Sequence, residues 1–446
     1  MENKRAPSLW LDRLPERPIP RPRLEGDDDC DVAIVGAGFT GLWTAYYLMR
    51  AQPESRVTVV EREMAGYGAA GRSAGWVSGG IAGSWSALVE RGGAAAARRA
   101  LVETYDAIDR IGEVVDREEI DCHFRKGGAL TIATTRPQAR RLEAEVAAMR
   151  ERGLGQGYLP RLGRGGDHGV GIGVDIELSA ITSLCARTDP GRLARGLAET
   201  CERGGVHIYE RTEAVDLRPK SVRCETGTIR AEYVLQATEA YSLLLPGERR
   251  RFMPLVSAMA ATEPLPTSVW EELNWEHGLG IADRHRLHFY AQRTGDDRLA
   301  MGRRGKPYRL RTPLAEDLDH HASVKERIGA TMRRYFPAVG DAPLEHFWIG
   351  PLALPRDERM SIWYDRGNGL GWAGGYGGHG IVASNIAGRT LVDLVLGRDS
   401  DLVALPWVGT APGRWPREPF RHLSAQMAHR RQQLADDRED RQLGET

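Results

Sequence analysis

The chain has 446 residues, which exceeds one ordinary domain and predicts two domains or one discontinuous pair. Hydrophobic residues make up 41% and charged residues 27%, values typical of soluble globular proteins, so neither a disordered chain nor a membrane protein is indicated. The 61 basic residues balance the 61 acidic ones, which excludes a global field that would recruit nucleic acid or an anionic membrane and favours a small-molecule partner.

The cysteine pattern bears on compartment and on metals. The five cysteines have neither C-x-x-C nor metal-ligand spacing, so they predict reduced thiols and no metal site. Residues 1–27 are rich in proline and charge and contain no apolar run typical of a secretory signal. We therefore expect a cytoplasmic protein that spans no membrane.

The first 30 residues are expected to lie extended over the surface. Within them, residues 17–29 read "RPIPRPRLEGDDD", and such alternating prolines are incompatible with a helix or a central strand. Regular structure is expected to begin with the apolar strand that follows.

The first predicted unit is β-α-β: the strand "CDVAIVGAG", the helix "FTGLWTAYYLMRA" and the strand "SRVTVVE". Gly36, Gly38 and Gly41 stand between the first strand and the helix in the G-x-G-x-x-G spacing. The first glycine makes a tight turn, the second lets backbone approach a pyrophosphate, and the third lets helix and strand pack closely. Glu61 ends the second strand, where an acidic side chain binds an adenosine ribose. This register predicts a dinucleotide site.

Further helices and strands follow along the chain. Residues 94–152 are rich in helix formers, and residues 189–205 form a predicted helix that begins at Pro190 and ends at a glycine pair. The charged tail at 422–445 is expected to form a solvated helix with a role in packing or solubility. The other predicted elements are strands at 206–210, 230–238, 286–294 and 297–305, the last two as a hairpin, a helix at 315–337, and a glycine-rich turn at 371–380 that opens an amphipathic helix.

The sequence after Glu61 separates FAD from NAD, which share the adenosine half. Residues 66–80, "GYGAAGRSAGWVSGG", are a second small-residue segment whose backbone can run against a large flat ring system. With "DPGRLARGLAETCERGGVHIYERTEAV", "RAEYVLQATEAYS", "DDRLAMGRRGKPY" and "GWAGGYGGHGI", this segment resembles the D-amino-acid oxidase superfamily of flavoproteins. Within it, the chain is most similar to the glycine oxidase, sarcosine oxidase and gamma-glutamylputrescine oxidase-like branch. The resemblance covers residues 31–397.

The resemblance implies an α/β protein: a Rossmann-like, discontinuous FAD-binding domain and a second α+β substrate domain built on an antiparallel sheet. The implied segments are the FAD domain at 31–100, 185–245 and 345–398, the substrate domain at 101–184 and 246–344, and the tail at 399–446.

By the same resemblance, noncovalent FAD contacts several parts of the chain. The positions where relatives tether their flavin hold no cysteine near Trp348 and no histidine within "AAGRSAGW". The implied contacts are Gly36, Ala37, Gly38, Phe39, Thr40 and Gly41 at the pyrophosphate; Glu61 and Arg62 near ribose and adenine; Gly71, Arg72, Ser73, Ala74 and Gly75 beside the flavin; Val215 at adenine; Ala237 and Thr238 in the pocket wall; and Gly377, Gly378, His379, Gly380 and Ile381 at the pyrimidine edge of the flavin.

The late glycine turn has a physical role that is independent of the resemblance. Reduced flavin carries negative charge at its pyrimidine edge, and unpaired backbone N–H groups at a helix N-terminus stabilise such charge. A turn that merely permits tight packing is the alternative. His379 has two candidate roles, as a base or as the residue that holds the turn by hydrogen bonding, and we favour the second.

The implied reaction is hydride transfer from a carbon bearing an amine to the flavin, giving an imine that water hydrolyses, with dioxygen or another acceptor reoxidising the cofactor. Two positions depart from the family pattern, and they bear on the substrate and on the electron acceptor. Leu352 stands where relatives that oxidise α-amino acids carry an arginine, so an amine, or an amino compound whose acid group lies elsewhere, is favoured. Ala300 stands where sarcosine oxidases use a lysine for oxygen activation, so oxidase and dehydrogenase both remain open.

The candidate reaction residues are His379, Arg303, Tyr376 and Trp348. Arg303 and Arg304 are the basic pair of the expected substrate sheet, and an arginine pair can clamp a carboxylate, phosphonate or phosphate of the substrate. The alternative is that they pair with acids or face solvent. The aromatic candidates for the cavity wall are Tyr290, His288, Trp348 and Tyr376.

Two other functions are compatible with the first glycine motif. A flavin monooxygenase shares that motif but usually has a late "GD" motif on ribose, which "GYGGHGI" does not supply. A non-catalytic subunit that holds flavin as a structural ligand is the second alternative.

Overall fold

The computed structural model describes residues 7–16, 18–80, 83–165, 168–312, 314, 317–409 and 411–444. Within these ranges, the α-helices are α1 (Leu9–Asp12), α2 (Phe39–Ala51), α3 (Trp85–Arg117), α4 (Arg136–Glu151), α5 (Pro190–Arg203), α6 (Thr267–Leu273), α7 (Ala322–Tyr335), α8 (Gly380–Val395) and α9 (Phe420–Gly444). None of the helices described is long and apolar enough to cross a bilayer.

The strands fall into two large sheets and one small pair. They are β1 (Asp28–Val35), β2 (Val57–Val60), β3 (Trp76–Ser78), β4 (Ala129–Ala133), β5 (Arg161–Gly163), β6 (Leu178–Thr182), β7 (Cys185–Arg187), β8 (His207–Tyr209), β9 (Ala214–Arg218), β10 (Ser221–Cys224), β11 (Thr228–Gln236), β12 (Phe252–Thr262), β13 (Gly280–Asp283), β14 (Phe289–Arg293), β15 (Leu299–Arg304), β16 (Leu344–Pro355), β17 (Ser361–Asp365) and β18 (Leu370–Gly374).

The first sheet has a parallel, Rossmann-like centre. Its path is β17-β18-β11-β1-β2-β8, and β1 runs parallel to both β2 and β11. The apolar run that predicts β1 is buried on both faces, because helices α2 and α8 pack together over it and β9 and β10 join at β11. The predicted α/β class and the discontinuous cofactor-binding half are confirmed by this topology.

The second sheet is mainly antiparallel, as predicted. Its order is β16-β12-β15-β14-β13-β4-β6-β5, and β4 pairs with β13 in the parallel direction. The predicted hairpin of β14 and β15 is present, with Arg293 opposite Leu299. Helix α7 packs on this sheet through a core that includes Phe289, Met301 and Ile328.

Two of the expected segment boundaries do not coincide with the elements of the structure. Strand β16 was expected within the cofactor domain, which was predicted to resume at residue 345, yet it pairs with β12 along its whole length in the second sheet. The boundary at 100 falls inside helix α3, after its kink at Gly93. The remaining boundaries stay predictions.

The N-terminal segment is not merely extended. Helix α1 buries Leu9, Trp10 and Leu11, and the Ser8 hydroxyl caps its first turn. Farther along, the Glu210 carboxylate accepts hydrogen bonds from the Arg21 and Arg195 guanidiniums at 2.9 and 2.8 Å. A buried ion-pair cluster therefore ties this segment to the cofactor half.

The charged tail forms helix α9, which docks on the second sheet rather than standing in solvent. Asp436 accepts from the backbone N–H groups of Arg286 and Leu287, both at 2.9 Å. Glu439 accepts two bonds from the Arg141 guanidinium, each at 2.8 Å. The acidic residues of the tail thus have specific partners, and packing is its structural role.

The docking of α9 is expected to weaken at alkaline pH through His285. Burial alone would lower the pKa of His285, but hydrogen bonds to Asp283 and Asp440 outweigh it and raise the pKa to about 10. A raised folded-state pKa contributes stability that is complete below the unfolded value of 6.5 and is lost as pH rises through about 10. We expect His285→Ala to lower the free energy of unfolding near neutrality, with the deficit shrinking towards pH 10.

Denaturant unfolding of both proteins across this pH range measures the deficit. His207→Ala, at an exposed histidine on β8, serves as the control. A deficit that stays constant with pH would assign His285 to packing alone.

Candidate active site

The three glycines of the first motif have different surroundings: two pack closely against backbone, and one faces open space. A Cβ on Gly36 would lie 2.7 Å from the Ala237 carbonyl oxygen, and one on Gly41 would lie 2.0 Å from the Gly36 carbonyl oxygen. A Cβ on Gly38 meets nothing nearer than the Ala70 Cβ at 4.0 Å. Gly36 and Gly41 are therefore required by the backbone around them, whereas Gly38 faces a cleft.

That cleft begins at the N-terminus of α2, which Gly38 caps without a side chain. Gly38, Phe39 and Thr40 line it. The first N–H groups of a helix have no partner within the helix, and the helix dipole favours an anion there. The space in front of Gly38 fits a pyrophosphate.

Glu61 lines the same cleft and also braces the first glycine turn. The Glu61 carboxylate accepts from the backbone N–H groups of Ala37 and Glu63, at 2.9 and 3.0 Å. Burial raises the pKa of this carboxyl group above its usual value. Arg62 lines the cleft beside it and stacks on the Tyr241 ring at 5.4 Å. Glu61 and Arg62 thus offer the acceptor and the stacking group that fit an adenosine.

The wall near the predicted adenine contact is formed by Thr212, Glu213 and Ala214. Val215, the residue predicted from the resemblance, follows one position further along β9. Ala237 and Thr238 line the cleft, and the Ala237 N–H bonds the Val35 carbonyl at 2.8 Å, which holds β11 against the first glycine turn.

The predicted flavin segment at 71–75 is packed tightly. A Cβ on Gly71 would lie 2.3 Å from the Gly66 carbonyl oxygen, and one on Gly75 would lie 2.1 Å from that of Thr188. Ser73 and Ala74 line the cleft. The Arg72 guanidinium is buried and stacks on Tyr67 at 4.6 Å, so it supports this segment from behind.

The late glycine turn reaches the same cleft. Its backbone is left-handed at Gly375, Gly377 and Gly378, and α8 begins at Gly380. Gly378, Gly380 and Ile381 line the cleft. The Tyr376 hydroxyl forms a 2.8 Å hydrogen bond with the Thr40 hydroxyl. Two helix N-termini, widely separated in sequence, therefore line one cavity.

Glu239 was not identified from the sequence. Its carboxylate accepts from the backbone N–H groups of Gly375, Tyr376 and Ala353, at 2.9, 3.1 and 3.0 Å. Burial raises its pKa to about 7. Its φ of 43° lies in the left-handed region that favours glycine. An acid directly after the "QAT" end of β11 was the available signal.

Comparison with known proteins is consistent with a cofactor site in this cavity. The sequence model of the family of FAD dependent oxidoreductases matches residues 31–394 of the chain. The chain belongs to this family. The open space at Gly38, the two helix N-termini and the brace at Glu61 fit its cofactor, which is FAD.

Two relatives and one solved structure cover most of this FAD-dependent oxidoreductase. It is 28% identical over 400 residues to the probable oxidoreductase OrdL of Haemophilus influenzae, spanning 85% of this chain and 86% of that one. It is 27% identical over 409 residues to the gamma-glutamylputrescine oxidoreductase of Escherichia coli, spanning 89% and 91%. The glycine oxidase structure from Geobacillus kaustophilus has a TM-score of 0.70 at 19% identity, covering 86% of this chain and 99% of that one, which shows the shared fold.

The second sheet of this FAD-dependent oxidoreductase presents Tyr290 towards the cleft. Tyr290 packs edge-on against Trp76, a cleft residue, with ring centroids 6.3 Å apart, and its hydroxyl bonds that of Ser257. Arg304 pairs with Ser257 in the sheet and shares this face. His288 is exposed, and its ring centroid lies 6.1 Å from that of Tyr290.

Arg303 does not share this face, which separates it from the other predicted reaction residues. It lies opposite Phe289 in the sheet register and lines a different cavity, together with Tyr335 and Asp436. Successive residues of a strand point to opposite faces, so of the arginine pair it is Arg304 that shares the sheet face of Tyr290. The sequence located the pair but not the register that separates its members.

Of the other predicted residues, some line the cleft and others lie in the core. Trp348 is buried in a cluster with Ala300, and its indole N–H donates to the Arg72 carbonyl at 2.9 Å, so it positions the flavin segment. Leu352 lines the cleft. His379 caps α8, and its ring lies 3.3 Å from the place of a Cβ on Gly80. Burial lowers the pKa of His379, which favours a neutral imidazole.

Proposed function

We propose that this FAD-dependent oxidoreductase oxidises the C–N bond of a small amine or amino compound to an imine. The single observation that carries the proposal is the convergence of both glycine turns, joined by the Thr40–Tyr376 hydrogen bond, on one cleft that Leu352 also lines. The names of relatives support it: one acts on gamma-glutamylputrescine and a structural neighbour is a glycine oxidase.

FAD, when bound, accepts a hydride from the carbon that bears the amine. The chain supplies orientation. The substrate amine loses its N–H proton to solvent as the C–H bond breaks, and the imine is released for hydrolysis. Since burial keeps the His379 imidazole neutral, no positive charge from it opposes a cationic substrate during entry. Leu352 lines the cleft with a side chain that has no charge for an α-carboxylate.

We further propose noncovalent FAD, reoxidation by dioxygen or another small acceptor, and action in the cytoplasm. The described residues that line the cleft include no cysteine or histidine to form a flavin linkage. The five cysteines are buried and free, which supports a reducing compartment.

Anaerobic mixing of the yellow holoenzyme with amines, amino acids and aminophosphonates tests the function. An amine substrate is expected to bleach the flavin band, and readmitted air to restore it with release of peroxide if dioxygen is the acceptor. Bleaching by NADPH with hydroxylation of an added substrate would support the monooxygenase instead. A flavin band that no compound bleaches would support a non-catalytic subunit.

Arg304 is expected to bind an acidic group of the substrate that is remote from the amine. Its side chain is exposed at the rim, with Gln432 of α9 as its hydrogen-bond partner at 3.4 Å. We expect Arg304→Ala to raise KM about tenfold for amines bearing an acidic group, since a lost charge-assisted contact costs roughly 1.5 kcal/mol. KM for uncharged amines should not change.

Arg303→Ala is the matched control, because the neighbouring arginine faces the opposite side of the sheet. Steady-state kinetics with paired acidic and uncharged amines measure both variants. An effect of Arg303→Ala equal to that of Arg304→Ala would contradict the assignment by strand register.

A further inference from the structure

Glu239 joins three segments that are distant in the chain. It follows β11 of the first sheet, and its Oε1 atom accepts from Gly375 and Tyr376 in the late glycine turn. Its Oε2 atom accepts from Ala353 on β16 of the second sheet. One carboxylate thus fixes the glycine turn relative to both sheets.

The position of Glu239 is adjacent to the flavin end of the cleft. Glu239 lines the cleft itself, as do Leu352, Tyr376 and Gly378, which belong to the proposed flavin end. Glu61 and Arg62 line the cleft at the proposed adenosine end. Because Glu239 occupies the N–H groups of Gly375 and Tyr376, the cofactor can receive hydrogen bonds from this turn only from later amides, such as those at Gly378 and Gly380.

The backbone of Glu239 supports a specific role for its side chain. A φ of 43° disfavours a residue with a Cβ, so a glycine would relieve the local strain but would remove all three hydrogen bonds. The side chain therefore compensates for an unfavourable backbone conformation, and loss of the carboxylate has effects beyond its own position.

We propose that Glu239 is a positioning residue for the flavin: its carboxylate fixes the amides of the late glycine turn and sets a negative charge at the flavin end of the cleft. Two effects follow. Fixed amides favour cofactor binding, whereas a negative charge near the flavin opposes the additional charge of reduction and lowers the reduction potential. The facing titratable group, Tyr376, stays protonated because burial raises its pKa.

The test is the midpoint potential of purified Glu239→Gln holoenzyme, measured above neutral pH, where the wild-type carboxyl is ionised. The amide keeps one acceptor but presents N–H to Ala353. We expect a more positive potential and about tenfold weaker FAD binding, the cost of one lost hydrogen bond to a charged group. Neither readout requires a substrate.

Glu61→Gln is the matched control, because Glu61 is also a cleft carboxylate with two backbone N–H partners but lies at the adenosine end. It should weaken FAD binding and leave the potential unchanged. An unchanged potential in Glu239→Gln, or an equal shift in both variants, would overturn the proposal.

Glu239→Asp tests the same idea if the Gln variant does not fold. The shorter side chain keeps the charge and loses reach, so FAD affinity should fall while the potential stays near that of the wild type. If the midpoint potential of Glu239→Asp shifts as far as expected for loss of the charge, although the charge is kept, Glu239 acts through packing alone.

Discussion

Gly38→Val is expected to give a folded protein that does not retain FAD. The φ and ψ of Gly38, −83° and −175°, are extended and suit valine, and a Cβ there has no close neighbour. Its methyl groups would occupy the space in front of the α2 N-terminus, where we propose that the pyrophosphate binds. We expect FAD affinity to fall at least about a hundredfold, ~2.8 kcal/mol, with little change in the stability of the apoprotein.

The ratio of flavin to protein absorbance after purification, followed by FAD titration of the apoprotein, measures this loss. Gly155→Val is the control, since Gly155 also has negative φ and open space around its Cβ but lies far from the cleft in the chain. A yellow, fully loaded Gly38→Val protein would refute the pyrophosphate assignment.

Glu210→Ala is expected to destabilise the fold strongly. The carboxylate is fully buried and accepts from the guanidiniums of Arg21 and Arg195 and from two backbone N–H groups. Its removal leaves buried positive charge without a partner, which costs about 3–5 kcal/mol of unfolding free energy. Denaturant unfolding of the apoprotein measures the loss.

The comparison variant is Glu225→Ala, which removes the exposed partner of Arg23 and should cost no more than about 1 kcal/mol. Acid has a related effect on the wild type. Burial alone would raise the pKa of Glu210, but backbone N–H groups and the two arginines outweigh it and lower the pKa. The stability that Glu210 contributes is therefore present above its unfolded pKa and lost as pH falls through the folded value. Equal losses of unfolding free energy in Glu210→Ala and Glu225→Ala would contradict the importance of the buried ion-pair cluster.

The features that the sequence predicted well depend on local spacing. Gly36, Gly38, Gly41 and Glu61 lie in one β-α-β unit, so their register indicates a nucleotide site without knowledge of the rest of the fold. The late turn at Gly375 could be related to the same cofactor only through the family resemblance, because nothing local connects it to the first motif.

The features that the sequence did not predict depend on contacts between distant segments. Glu239 has no spacing signal, since its three partners lie more than a hundred residues away. The opposite orientations of Arg303 and Arg304 require the exact pairing of β15 with β12 and β14, and strand register is not visible in a single sequence. The docking of α9 likewise depends on backbone N–H groups of a loop, at Arg286 and Leu287.

The order of strands in the first sheet has a consequence for biosynthesis. Strand β1 emerges early from the ribosome, but its neighbour β11 and the adjoining β18 are translated much later. Pairings so distant in the chain carry a high loop-closure cost and form late. The hydrogen bond between Thr40 and Tyr376 cannot form until nearly the whole polypeptide has been synthesised. Flavin loading is therefore expected to be post-translational, and a truncated or stalled chain to remain colourless.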